Sequence, residues 1–212
     1  MDEIIRNITI FAIPLIFAIT VHEAAHAYAA KYFGDNTAYM LGRVTLNPVK
    51  HIDPIWTILM PIVILILSAF TFTFGGAKPV PINSLALRNP KRDMIWVAAA
   101  GPGANLLMLL GWFGIATFFA TFSPTAPVIF IVLVAKAGIF VNALLMVFNL
   151  FPLLPLDGGR ILEGLLPNRI AYQFSRLEPY GMFILVALIL SGAMTYFMTP
   201  TMSAVYRILG LK

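Results

Sequence analysis

The sequence predicts an all-α polytopic membrane protein. Three observations carry this. Of 212 residues, 60% are hydrophobic and 11% charged, with a mean hydropathy of +0.89, whereas a soluble domain carries roughly 25% charged residues. The apolar residues gather into about five runs, at 4–33, 55–74, 94–122, 128–151 and 180–197, and about 20 residues of helix cross a bilayer. The net charge of +5 lies in the connections between the runs, which suits anionic lipid headgroups and not nucleic acid. With no cysteine, disulfides, thiolate metal sites and cysteine nucleophiles are excluded. The expected organisation is one membrane domain over 1–212.

The first run stops at Gly34-Asp35-Asn36, a helix-ending signal, and Pro14 is a candidate kink. Asp2 and Glu3 stand where a cleaved leader would be basic, so the run reads as retained. The connection from Met40 to Pro54 contains the alternation Arg43-Val44-Thr45-Leu46, which predicts a short interfacial strand. A second strand is expected around Val80 to Ile82. Between them, Pro61 and Gly75-Gly76 interrupt the 55–74 run and make it a candidate re-entrant hairpin, with irregular backbone buried in protein or facing water. Gly101-Pro102-Gly103 breaks the third run near its start, and an uncharged SPTAP at 123–127 leads into the fourth. The tract NLFPLLPLDGGR, from Asn149 to Arg160, ends regular helix. A last span is expected over Tyr180 to Phe197.

The chemistry sits in HEAAH at 22–26. His22 and His26 are four apart, so a helix stacks them on one face, where two imidazoles can hold one zinc ion. Glu23 beside them can act as base toward a metal-activated water. Three ionisable residues within an apolar span are functional candidates by default. A catalytic zinc needs a third protein ligand, and the candidates are His51, Asp35, Asp53, Glu163 and Asp157. Asp35 and Asp53 read as solvated turn residues and His51 as part of an interfacial loop. Asp157 follows helix-breaking prolines and precedes Gly158-Gly159, which permit close backbone approach. The residues alone leave Asp157 divided between third ligand and helix N-cap. Asn105 and Asn142, within apolar runs, could line the catalytic cavity, but interhelical hydrogen bonding is the commoner use of such residues. Lys136 reads as a lysine snorkelling toward the nearer interface.

HEAAHA, GRVTLNPVKHIDP, FGGAKPVPIN, AAAGPGANLL and FNLFPLLPLDGGRIL together resemble the site-2 protease family of intramembrane zinc metalloproteases (peptidase M50 type). The likeness is to its short forms without PDZ or CBS domains and runs from about residue 15 to 165. The resemblance implies that His22, His26 and Asp157 bind one Zn2+ per chain, that Glu23 is the catalytic base and that Asn149 contacts substrate or transition state. It also implies a substrate that is a membrane protein with a transmembrane helix. Relatives often carry further prolines where this chain reads FPLLPLDGG, a departure that touches no ligand. The alternative is a non-enzymatic zinc protein of the membrane, a metal transporter or a pseudo-protease. A transporter strings ligands along a path and has no use for a glutamate between the histidines.

If HEAAH and Asp157 meet, their helices run parallel, and one of the two intervening runs is then not a simple crossing. That parity puts the basic connections on one side, with Arg160, Arg169 and Arg176. The excess of positive charge inside then places the multi-pass protein in the cell membrane with its site toward the cytoplasm.

Overall fold

A computed structural model describes residues 2–51, 53, 59 and 78–211. Three helices dominate: α1 (Asp2–Tyr32), α2 (Pro90–Phe119) and α3 (Ala126–Asn149). All three are long and apolar enough to cross a membrane. They pack on one another. Four shorter helices follow: α4 (Asp157–Leu165), α5 (Asn168–Ser175), α6 (Glu178–Leu190) and α7 (Ala193–Ile208).

The buried stripe of α1 recurs every fourth residue at Ile10, Pro14, Ala18, His22, His26 and Ala30. Ala18, Ala27 and Ala30 are wholly buried; short side chains let helix backbones approach closely in a bilayer. Ile10 packs with Val134 and Ala137 of α3, and farther along both helices Ala18 and Asn142 each bond Asn105. α1 and α3 therefore run parallel, with α2 antiparallel between them. Phe17, Leu107, Phe118, Phe183 and Leu190 stay exposed on the outside, where lipid replaces water as solvent.

α1 ends where α2 begins: the Arg88 N–H donates to Phe33 O at 3.0 Å. The stretch between them therefore starts and finishes at the same end of the bundle. The expected re-entrant run over 55–74 falls, apart from Leu59, outside the described residues. Its flanks meet, since the Lys78 N–H donates to His51 O at 2.9 Å.

The two expected strands are absent among the described residues. Residues 43–46 and 80–82 are irregular. Arg43 reaches Lys78 O at 2.7 Å with its guanidinium, so side chain and not backbone joins the two stretches. Pro79 and Pro81 carry no N–H for a ladder. Of the expected five or so apolar segments, the 55–74 run lies, apart from Leu59, outside the described residues. Among the described residues three helices qualify as spans, or four if α5 and α6, bent by 66°, form one span. The expected span over 180–197 is broken: α6 stops at Leu190 and Gly192 turns the chain with φ +74, a left-handed conformation that glycine adopts at no steric cost.

Candidate metal centre

α1 presents His22 and His26 one turn apart, both more than nine-tenths buried. α4 brings Asp157, its first residue, to the same point. Leu156, not Asp157, occupies the cap position of that helix. The chain reaches α4 through a tight passage: a Cβ on Gly158 would stand 2.2 Å from Leu150 O, and one on Gly159 2.4 Å from the Leu153 carbonyl carbon. The glycine pair thus lets α4 start directly under the 150–154 loop.

Three ligand atoms converge. His22 Nε2 and His26 Nε2 are 3.1 Å apart, and Asp157 Oδ2 lies 3.3 Å from the first and 3.4 Å from the second. The opposite nitrogens fix the tautomers. His22 Nδ1 donates to Asn105 Oδ1 at 2.6 Å and His26 Nδ1 donates to Val97 O at 2.7 Å. Both partners can only accept, so with neutral rings both Nε2 atoms carry lone pairs and no proton. Two lone pairs and a carboxylate oxygen then face one another. Asp157 Oδ2 is buried without a hydrogen-bond partner among the described residues. Such an arrangement is repulsive unless a metal ion or a proton sits in it. The spacing suits zinc: four ligands at 2.0–2.1 Å in a tetrahedron have edges of about 3.3 Å.

α2 supplies the support from one face. Val97, Gly101 and Asn105 are four apart. A Cβ on Gly101 would lie 2.3 Å from His26 Nε2 and 2.6 Å from His22 Cε1, so the imidazoles occupy the space a side chain would take. Asn105 is itself oriented: its Nδ2 donates to Asn142 Oδ1 at 3.0 Å and lies 3.3 Å from Ala18 O, while Asn142 Nδ2 donates to Gly138 O at 2.8 Å. Both asparagines lie between helices, as expected, and their chain of bonds ends on His22. The GPGAN spacing, a glycine four before an asparagine, is the signal that carried it.

The centre opens onto a cavity of about 600 Å³ lined by Glu23, Val80, Met94, Asn149, Arg160 and Met182, among others. Glu23 Oε2 accepts from the Val80 N–H at 2.9 Å, a contact with no sequence signal. Asn149 lines the same cavity, with its Nδ2 donating to Leu145 O at 3.0 Å. Arg160 is held by Glu178 at 3.1 Å and Glu163 at 3.4 Å, so its charge is balanced beside the centre. The other ligand candidates lie elsewhere. His51 Nε2 donates to Thr45 O at 2.9 Å. Asp35 is wholly buried and accepts from the Thr37 and Asn83 N–H groups at 2.9 and 2.7 Å. Among the described residues, His22, His26 and Asp157 form the one such group able to hold a metal.

Lipid-length helices around two imidazoles, a carboxylate and a neighbouring glutamate define a membrane protein with a hydrolytic type of metal centre. Comparison with known proteins agrees. The profile of Peptidase family M50 matches residues 123–192, which include the LDGG tract. YwhC of Bacillus subtilis, named as a zinc metalloprotease, is 36% identical over 200 residues, covering 91% of this chain and 85% of that protein. Rip2 of Mycolicibacterium smegmatis, named likewise, is 30% identical over 179 residues, covering 84% and 66%. Rip2 of Mycobacterium tuberculosis is 28% identical over 190 residues, covering 89% and 66%. The chain thus spans just under two thirds of the Rip2 proteins. No solved structure matches it.

The chain belongs to peptidase family M50. It is a zinc metalloendopeptidase of the membrane. A transporter is not favoured, because the described residues hold one compact ligand group and no string of them.

Proposed function

We propose that the chain cleaves transmembrane segments of other membrane proteins, using one zinc ion per chain held by His22, His26 and Asp157. The observation that carries this is the convergence of three potential ligand atoms at 3.1–3.4 Å within a bundle of bilayer-length helices. Zinc there supplies a Lewis acid and lowers the pKa of a water toward ~7. Glu23 faces the same cavity and takes the proton of the attacking water. It then passes a proton to the leaving amine, the usual division of labour for one carboxylate acting as base and acid. The Val80 N–H aims and steadies that carboxylate. Asn149 turns its amide from Leu145 O toward the oxyanion of the tetrahedral intermediate. Two neutral imidazoles and two carboxylates balance a divalent cation, which limits the cost of the site in a medium of low dielectric constant.

The substrate must unwind, since a helix hides its carbonyls. It enters the cavity in extended form from the membrane. The site faces the cytoplasm, on the same end as Lys31, Arg43, Lys50, Lys78, Arg88, Lys91 and Arg92, in line with the positive-inside bias.

The test compares wild type with Glu23→Gln in detergent on a transmembrane substrate, with zinc measured in both. Cleavage should fall by at least ~100-fold, the usual worth of a general base, at unchanged zinc content. Cleavage unchanged in the variant overturns the role of Glu23. Zinc near zero in purified wild type overturns the centre.

A further inference from the structure

At the end of the bundle opposite the metal centre, a cleft of about 390 Å³ opens between α1 and α3, lined by Arg6, Asn7, Phe11, Leu133, Lys136 and Phe140, among others. Its cations are unusual for their surroundings. Lys136 is the sole charged residue of α3, the most apolar of the three long helices among the described residues. It lies ten residues from Ala126, or about 15 Å along the helix. It is exposed, and has no ion-pair or hydrogen-bond partner among the described residues. A charged side chain in such a place is expensive and normally pairs with something.

The geometry tells where its charge goes. Helical side chains lean toward the helix N-terminus, so the Lys136 stem climbs toward the Ala126 end and its ammonium group rises to the headgroup side. Ile10 of α1 packs at the level of Val134 and Ala137. Arg6 is one turn beyond Ile10, about 6 Å nearer the surface. Because α1 and α3 are parallel, the lysine rises into the depth where Arg6 already stands. Arg6 is also 3.6 Å from Glu3, so the three charges sum to +1. Below them the walls turn apolar, where Phe11 and Phe140 meet edge to face at 6.3 Å, and Leu133 adds an apolar wall at the level of the charges. A net single positive charge above an apolar trough, on a lipid-facing surface, matches one molecule with a single negative phosphodiester and an acyl chain.

We propose that the cleft between α1 and α3 binds one anionic glycerophospholipid, its phosphodiester held by Lys136 and Arg6 and an acyl chain laid over Phe11, Leu133 and Phe140. The site is separate from the metal centre. The lipid would complete the α1–α3 seam and neutralise a charge that the bundle leaves open.

The test is native mass spectrometry of the whole delipidated protein with added phosphatidylglycerol, phosphatidylcholine or inorganic phosphate. Wild type should retain one phosphatidylglycerol per chain, and retention of phosphatidylcholine should be at least fivefold lower. Lys136→Leu and Arg6→Gln should each lower phosphatidylglycerol retention at least fivefold, and Lys136→Arg should restore it. Zinc content reports that the variants are folded. Equal retention by wild type and Lys136→Leu overturns the site, as does equal retention of the two lipids. Competition by millimolar phosphate would show a free-anion site instead. A dimer that dissociates on Lys136→Leu would show that a second copy covers the cleft.

Discussion

Asn105 presents its side-chain carbonyl to His22 Nδ1 at 2.6 Å, and Asn142 decides that it does so. Asn142 spends its amide on Gly138 O, which leaves its own carbonyl to face the Asn105 amide. Asn105 then has only its carbonyl to offer His22. In the neutral ring the proton then sits on Nδ1, which leaves the Nε2 lone pair for a metal. Outer partners of this kind fix the tautomer and basicity of a metal-binding histidine. Asn105→Leu should weaken zinc binding by roughly 10–100-fold, the usual cost of losing such a partner. Asn142→Leu should act in the same direction by less, since it loosens Asn105 without removing it. Titration against a zinc chelator reads both. Equal affinity in wild type and Asn105→Leu would refute this relay.

Gly101 gives a second, steric handle on the same histidines. A methyl group there would stand 2.3 Å from His26 Nε2, on the atom that faces Asp157. Either an imidazole rotates away or α2 shifts. Gly101→Ala should therefore lose zinc and cleavage together. Gly103→Ala is the control, because a Cβ at that position meets nothing within 4 Å. Zinc content and cleavage should stay near wild type in that variant. If the two variants retain zinc equally, the close approach of α1 and α2 at Gly101 is not as described.

Much of this site was readable because its chemistry is local. His22, Glu23 and His26 announce themselves by i, i+4 spacing within an apolar run, and that spacing needs no tertiary knowledge. The parallel course of α1 and α3 followed from where HEAAH and Asp157 fall in their runs. Two things were not readable. The strands expected at 43–46 and 80–82 had the right alternation, but Pro79 and Pro81 withhold N–H groups, and the Arg43 side chain takes the carbonyls instead. The break at Ser191-Gly192 lay inside a continuously apolar stretch, where hydropathy gives no sign that one glycine takes a positive φ. Contacts made by backbone atoms, such as Val97 O on His26 and the Val80 N–H on Glu23, carry no residue-type signature.

The flanks of the 55–74 run support an experiment on topology. Lys78 and His51 are joined backbone to backbone at 2.9 Å, so both ends of the intervening stretch lie at one face. The chain has no native cysteine, so single cysteines at Lys50 and Lys78 can be read against a silent background. Both should react with an impermeant thiol reagent from the same side, the cytoplasmic one. A cysteine at Pro124, between α2 and α3, should react from the opposite side. Labelling of positions 50 and 78 from opposite sides would show that residues 52–77 cross the membrane once.

Asp35 offers a measure of how firmly that face is tied together. It is wholly buried just past the end of α1. Burial pushes its carboxyl pKa up, but hydrogen bonds from Thr37 and from the Asn83 N–H outweigh this and hold it below the ordinary 3.8. The Asn83 bond spans 48 residues and links the α1 exit to the stretch that carries Val80. A carboxyl lowered in the folded state adds stability above its unfolded pKa, and the contribution fades as pH falls through the folded value. Asp35→Ala strands two N–H groups and should destabilise the protein by about 1–3 kcal/mol near neutral pH. The gap between wild type and variant, read as thermal unfolding in detergent, should be constant above about pH 5 and narrow below pH 4, as Asp35 takes up its proton in wild type. A gap that stays constant down to pH 2 would mean that shape and not charge holds the loop.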